Sequence, residues 1–317
     1  MNNEKKKLAI LVPGFESHID QVRAMVPDWD IVQGDESNFD DWADVDVLFG
    51  DPSLSVIKKM SKLDWLQICW AGYNDYVEDG HLPEGIKLCN ASGAYGVTIA
   101  EHGLGMLLAL CRRLPAYQKN KDQQVWQDMG SEKMLYGGTA LVLGCGDLGS
   151  QMALRLKAFG MHVIGAQRTP KSDLAPFDLR IALKDVEKYL PQADVVIGCL
   201  PDNPETHHTL SEERLSLMKE DAIIVNVGRG GLIDTDALME CLDSGKFFGV
   251  GLDVIDPEPL PEGHALWNMD RVIITPHVAG TGFGHLKEVE ELIWNIFLNN
   301  LPRYVSGEVL NNLVTVI

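Results

Sequence analysis

The sequence predicts an α/β protein of two domains, each built on a parallel sheet, and three observations carry that prediction. The chain has 317 residues, more than one hydrophobic core usually organises, and at about 100–200 residues per domain this gives two domains. The first ninety residues alternate short apolar runs with polar, helix-compatible stretches, which is the rhythm of β/α units. A second series begins at Thr139, and its strands read as nearly unbroken apolar runs, as parallel strands covered on both faces do.

Taken in order, strands are expected at 8–12, 45–49, 65–70 and 87–90. A long helix follows over 97–114, with Ile99, Leu104, Leu107, Leu108 and Cys111 recurring at three and four. It ends near Arg112, Arg113, Leu114 and Pro115 and is the expected bridge between domains. The second series places strands at 140–143, 161–165, 194–199, 222–227, 248–253 and 272–275, before a last helix over about 284–300 and a short tail. With no tandem repeat or long linker, any boundary falls inside compact connections.

Charge narrows the function classes. The 27 Lys+Arg against 46 Asp+Glu leave a net charge of −19, the wrong sign for a nucleic-acid binder and repulsive to anionic headgroups. An anionic substrate must therefore be met by a placed cation. The six cysteines are scattered without a CxxC or a Cys/His cluster, so no metal site is expected and most read as small core hydrophobes. No apolar h-region follows the basic start, and no apolar run reaches the ~18 residues of a spanning helix. A cytoplasmic protein without a membrane partner is the expectation.

The run Leu141-Val-Leu-Gly144-Cys-Gly146-Asp147-Leu148-Gly149 has the pattern GxGxxG between a strand and a helix. A tight turn needs Gly144, close approach of a pyrophosphate needs Gly146, and packing of the helix on the strand needs Gly149. The N–H groups and positive dipole end of the new helix then serve the phosphates. An acid that reads the ribose is expected about twenty residues on, yet Gln167, Arg168 and Thr169 occupy that strand end, with Lys171 nearby. These residues suit a 2′-phosphate, so NADP(H) is favoured, with NAD(H) as the alternative if Arg168 is simply a solvated loop residue.

Three further segments begin where apolar runs end: Asn226-Val227-Gly228-Arg229, the stretch from Asp253 to Glu258, and Thr275-Pro276-His277 with Gly280 beyond. Open α/β sheets bind ligands at such ends. The set suits proton-coupled hydride transfer to a 2-keto acid: an Arg clamps the carboxylate, a His supplies the proton, and a carboxylate orients and charges the His. Singly, a His after Thr-Pro is more often a satisfied loop residue, and Glu258, between two prolines, reads as an exposed one.

In that order, with the stretch from Gln67 to Asn74 before them, these motifs resemble the D-isomer-specific 2-hydroxyacid dehydrogenase family over nearly the whole chain. The resemblance implies two Rossmann-like, doubly wound parallel-sheet domains, the dinucleotide-binding domain (95–285) inserted into a flavodoxin-like substrate domain (1–94 plus 286–317), commonly as a homodimer. It implies Arg229 as the substrate-carboxylate Arg, Glu258 as the His partner, His277 as the general acid/base and Asp253 near the nicotinamide carboxamide. Gly144, Gly146, Asp147, Leu148, Gly149, Cys199, Leu200, Pro201, Thr206, Val227, Gly228 and Gly280 match cofactor-lining positions. Ala71 and Gly72 match the N–H groups that meet the substrate carboxylate, and Trp70 and Tyr73 flank them. The implied activity is reduction of glyoxylate, hydroxypyruvate or a related short 2-keto acid. A phosphoglycerate dehydrogenase-like enzyme is the same-fold alternative, disfavoured because Asp51 and small residues stand where a phosphate would want Arg. A nucleotide-sensing, corepressor-like scaffold is the alternative from another class.

Overall fold

The computed structural model describes residues 5–37, 41–77, 81–83 and 85–314; the first four residues of the basic start lie outside them. The chain divides into two compact units, Met1–Tyr95 with Thr281–Ile317, and Gly96–Gly280.

The first unit opens with β1 (Lys7–Ile10), α1 (Phe15–Met25), β2 (Asp30–Gln33), β3 (Val47–Phe49), α2 (Leu54–Ile57), β4 (Trp65–Gln67), α3 (Asn74–Val77) and β5 (Lys87–Cys89). Its strands lie in the order β2-β1-β3-β4-β5, every pair parallel, which is the flavodoxin-like doubly wound order. Side chains alternate across a strand: Leu48, Leu66 and Leu88 pack on one face with Trp42, Val56 and Ile57, whereas Phe49 and Trp65 point to the other. β2 was not expected from the sequence. It is an edge strand whose two end residues are exposed and two middle residues half-buried, which leaves no apolar run to read.

The second unit contains α4 (Gly96–Cys111), α5 (Leu114–Asp122), β6 (Thr139–Leu143), α6 (Asp147–Ala158), β7 (His162–Gln167), β8 (Leu179–Ala182), β9 (Val195–Gly198), α7 (Glu212–Leu217), β10 (Ile223–Asn226), α8 (Thr235–Asp243), β11 (Gly249–Leu252) and β12 (Val272–Ile274). The parallel sheet runs β12-β11-β10-β9-β6-β7-β8. From β6 the chain winds outward to β8, then returns to β9 on the other side, so the strand order reverses between β6 and β9. Ligands of open α/β sheets bind at such a switch point, outside the carboxyl ends of the strands. α4 buries Ala100, Gly103, Met106, Leu107, Leu110 and Cys111, a wider band than the expected stripe, whose Ile99, Leu104 and Leu108 are partly buried. Gly103 marks the close approach of α6: a Cβ there would lie 2.6 Å from Met152 Cε.

The chain then returns to the first unit through α9 (Lys287–Ser306). Phe297 stacks on Phe49 at 4.4 Å and on Trp65 at 5.4 Å, closing the second face of that sheet. The helix continues past the expected end at Asn300 and through Pro302 to a left-handed Gly307, because burial of Leu301 at the turn before it outweighs the hydrogen bond that proline forgoes. No helix among the described residues is long and apolar enough to cross a membrane.

Candidate active site

Register lines up the carboxyl ends of the second unit's strands. Ile274 pairs with Leu252, Leu252 with Asn226, Asn226 with Gly198, Gly198 with Leu143 and Leu143 with Ala166. The next residue of each strand forms a second row: Thr275, Asp253, Val227, Cys199, Gly144 and Gln167. Their N–H groups bond the neighbouring strand's last carbonyl, as in Asp253 N–H to Asn226 O (3.0 Å) and Cys199 N–H to Leu143 O (2.8 Å). Neighbouring strands stand about 4.8 Å apart, so residues far apart in sequence share one edge of the sheet.

At the reversal point, Gly144 has φ +108°, and a Cβ there would lie 2.7 Å from the Cys199 carbonyl oxygen. A Cβ on Gly149 would collide with the Gly144 carbonyl, whereas one on Gly146 would meet nothing within 4 Å. The loop is thus closed toward the protein and open outward. The first-turn N–H groups of α6 lack intrahelical partners and, with the positive dipole end, fit the pyrophosphate of a dinucleotide. Asp147 in that turn would repel phosphates if it faced them, but its carboxyl accepts the Gly96 N–H; burial raises its pKa. Leu148 packs against the core beneath.

After β9, Leu200 and Pro201 lead into a loop that Thr206 holds, its hydroxyl donating to the Pro201 carbonyl (2.6 Å) and accepting from Asn203 N–H (3.0 Å). Burial pushes the Cys199 thiol up. After β7, Gln167 Nε2 donates to the Thr169 carbonyl at 2.8 Å. Arg168 is largely in solvent, 3.7 Å from Glu205.

After β10, the buried Asn226 latches the next turn: its Nδ2 donates to the Arg229 carbonyl (2.9 Å), and its Oδ1 accepts from Gly228 N–H (3.2 Å). Arg229 Nη1 donates to the Gly228 carbonyl (2.7 Å), and its other guanidinium donors have no partner among the described residues. After β11 comes Asp253, 3% exposed. Its Oδ1 accepts from the Thr275 hydroxyl (2.6 Å) and Val278 N–H (3.0 Å), and its Oδ2 from Ala279 N–H (3.0 Å). The carboxylate therefore pins the loop from Thr275 to Gly280, in which His277 takes a left-handed backbone (φ +54°) that is uncommon outside glycine. His277 Nδ1 lies 2.7 Å from Glu258 Oε1, which leaves Nε2 for a reactant. His102 of α4 joins the same network, its Nε2 2.9 Å from Thr275 Oγ1.

Trp70, Ala71 and Gly72 belong to the first unit, beyond the end of β4. Asn90 Nδ2 donates to the Ala71 carbonyl (2.8 Å), and Ala91 N–H to the Trp70 carbonyl (2.9 Å). Trp70 stacks on Tyr95 at 6.0 Å, and Tyr73 is partly exposed. Asp51 nearby accepts Cys69 N–H at 2.9 Å, and burial raises its carboxyl pKa.

Sequence reasoning did not single out Asn226, His102 or Arg180. The polar residue ending the apolar run 222–227 was a readable signal for Asn226. His102 and Arg180 act through partners that only register and helix docking bring near.

A sequence model of the D-isomer specific 2-hydroxyacid dehydrogenase NAD binding domain matches residues 104–279. A glyoxylate reductase of Pyrococcus horikoshii is 31% identical over 251 residues, which cover 77% of this chain and 73% of that protein. The solved structure of a D-isomer specific 2-hydroxyacid dehydrogenase family protein from Aeromonas salmonicida is 31% identical with a TM-score of 0.87, covering 99% of this chain and 100% of that one. A D-isomer specific 2-hydroxyacid dehydrogenase from Xanthobacter autotrophicus, solved with NADPH and MES, is 26% identical with a TM-score of 0.82, covering 99% of each chain.

Proposed function

Because the chain belongs to the D-isomer specific 2-hydroxyacid dehydrogenase family and is an NAD(P)-dependent dehydrogenase, we propose that it reduces a short 2-keto acid such as glyoxylate or hydroxypyruvate, with NADPH as the favoured cofactor. The observation that carries this reading is the row of strand ends that sets Arg229, Asp253 and the His277–Glu258 pair beyond the adjacent strands β10, β11 and β12.

A bound nicotinamide would supply the hydride. Arg229, with guanidinium donors to spare, holds the substrate carboxylate through its planar fork. His277 Nε2 donates a proton to the keto oxygen as the carbonyl carbon is reduced, and solvent restores that proton after the 2-hydroxy acid leaves. Glu258, on Nδ1, fixes the ring and offsets its charge. Asp253, whose own oxygens hold the loop of His277, is assigned to the nicotinamide side through that loop. By family resemblance, the N–H groups of Ala71 and Gly72 are assigned to the substrate carboxylate, with Trp70 beside them. The unit Gly96–Gly280 is assigned to the dinucleotide and its partner unit to the substrate. NADP(H) is favoured because Gln167, Arg168 and Thr169 offer donors where an acid would repel a 2′-phosphate. A phosphorylated substrate is disfavoured by Asp51, an acid where a phosphate would want a cation.

A homodimer fits the exposed Trp126, Met134 and Tyr136; light scattering should then give twice the mass of one chain, and a monomer would refute it. The free thiols of Cys69, Cys89 and Cys111 fit a reducing, cytoplasmic setting, which fractionation of the source cells would test.

The test of the activity is loss of NADPH absorbance with glyoxylate, hydroxypyruvate and 3-phosphohydroxypyruvate. Turnover with the first two and little with the third is expected. Preference for the phosphorylated acid would favour a phosphoglycerate dehydrogenase, and binding without turnover a nucleotide sensor.

A further inference from the structure

Arg180 lies on the edge strand β8 and has an environment that its position does not require. Its Nη1 donates to Gln167 Oε1 (3.0 Å) and its Nη2 to the Ala175 carbonyl (2.9 Å). Its guanidinium carbon lies 4.5 Å from the centre of the Phe177 ring. Its Nε is buried with no hydrogen-bond partner among the described residues. The neighbouring Cys145, inside the glycine loop, has its thiol pushed up to about 11 by burial, so it stays neutral near pH 7 and offers Arg180 no negative charge.

The consequence falls on Gln167. Neighbouring hydrogen bonds set which way an amide points. Here Nε2 donates to the Thr169 carbonyl while Oε1 accepts from Arg180. A ribose with free 2′- and 3′-hydroxyls needs acceptors at this strand end, and the one acceptor that Gln167 carries is turned to the guanidinium. We infer that Arg180 is a positioning residue for cofactor selection: by holding the Gln167 amide it withdraws the acceptor that would favour NAD(H), and it adds positive potential at the end of β7 that favours the 2′-phosphate of NADP(H). The inference rests on the reading of Gln167 to Thr169 as the place of that phosphate.

Calorimetric dissociation constants for NADP+ and NAD+, with no turnover involved, test it. In Arg180→Met, NADP+ binding should weaken about tenfold, or about 1.4 kcal/mol, while NAD+ changes by less than about threefold. Arg180→Lys keeps the charge but holds the amide with one flexible donor, and should move the ratio in the same direction by about threefold. It also serves if the Met variant does not fold. In a Gln167→Ala background, where only the charge of Arg180 still acts, Arg180→Met should move the ratio by about threefold and not tenfold, since neighbours acting through one another are not additive. Equal weakening of both cofactors, an unmoved ratio in either variant, or a full effect in the Gln167→Ala background would overturn the inference. A wild-type protein that binds NAD+ more tightly would instead refute the NADPH preference, and the effect of Arg180 on the ratio would remain readable.

Discussion

Arg229 is where charge and geometry can be separated. Lys in its place keeps the cation that a chain of net charge −19 must present to a carboxylate, but it loses the planar fork and the Nη1 bond to the Gly228 carbonyl. Charge-assisted hydrogen bonds contribute about 1.5–3 kcal/mol. Arg229→Lys should therefore lower kcat/KM for the keto acid by roughly 10–100-fold, with NADP+ affinity within about threefold. Unchanged kcat/KM would show that the fork is irrelevant. The sequence marked Arg229, Glu258 and His277 because each follows an apolar run, and chemistry grouped them. Their neighbours were less legible. Asp253 stands toward the cofactor only by resemblance, and that its oxygens also accept from Thr275, Val278 and Ala279 depends on how a loop folds back and not on residue type.

Among the elements, the starts of β6 and β9 are tied by Asp194, which precedes β9. Its Oδ2 accepts Thr139 N–H (2.8 Å) and its Oδ1 the Lys219 ammonium (2.6 Å). Burial alone would raise its pKa, but these two partners outweigh it and the carboxyl is held below its usual value. A depressed folded pKa gives stability that is present above the unfolded pKa of about 3.9 and lost as pH falls through the folded value. The groups are about one-third exposed, so the effect is discounted for solvent screening to about 1 kcal/mol. Asp194→Asn should be less stable than the wild type by that amount in urea at pH 7, with a difference that stays flat to about pH 5 and shrinks below about 4. A difference that grows with acid would reverse the sign of this account. Element legibility follows burial. The central strands β6, β9, β10 and β11 are buried nearly throughout and read directly as apolar runs. The edge strands β2, of exposed and half-buried residues, and β8, half-buried but for Ile181, show no unbroken buried run, and their pairing is decided by neighbours that no local pattern names.

At the scale of the molecule, two parallel sheets, each with its own core, follow from length and from the two β/α series. The order of strands does not, because the reversal between β6 and β9 leaves no trace in composition. That reversal sets the glycine loop and the carboxyl ends of β10, β11 and β12 along one edge. A nucleotide held at one end and a proton donor at the other should then be separable functions. The most direct measurement is kcat for glyoxylate reduction by His277→Ala, made beside its calorimetric NADP+ affinity on the same preparation. A kcat lower by about 10²–10⁴-fold is expected, as for loss of a positioned general acid, with NADP+ bound within about threefold of the wild type. A kcat within about threefold of the wild type would contradict it, since His277 would then supply no proton to the keto oxygen.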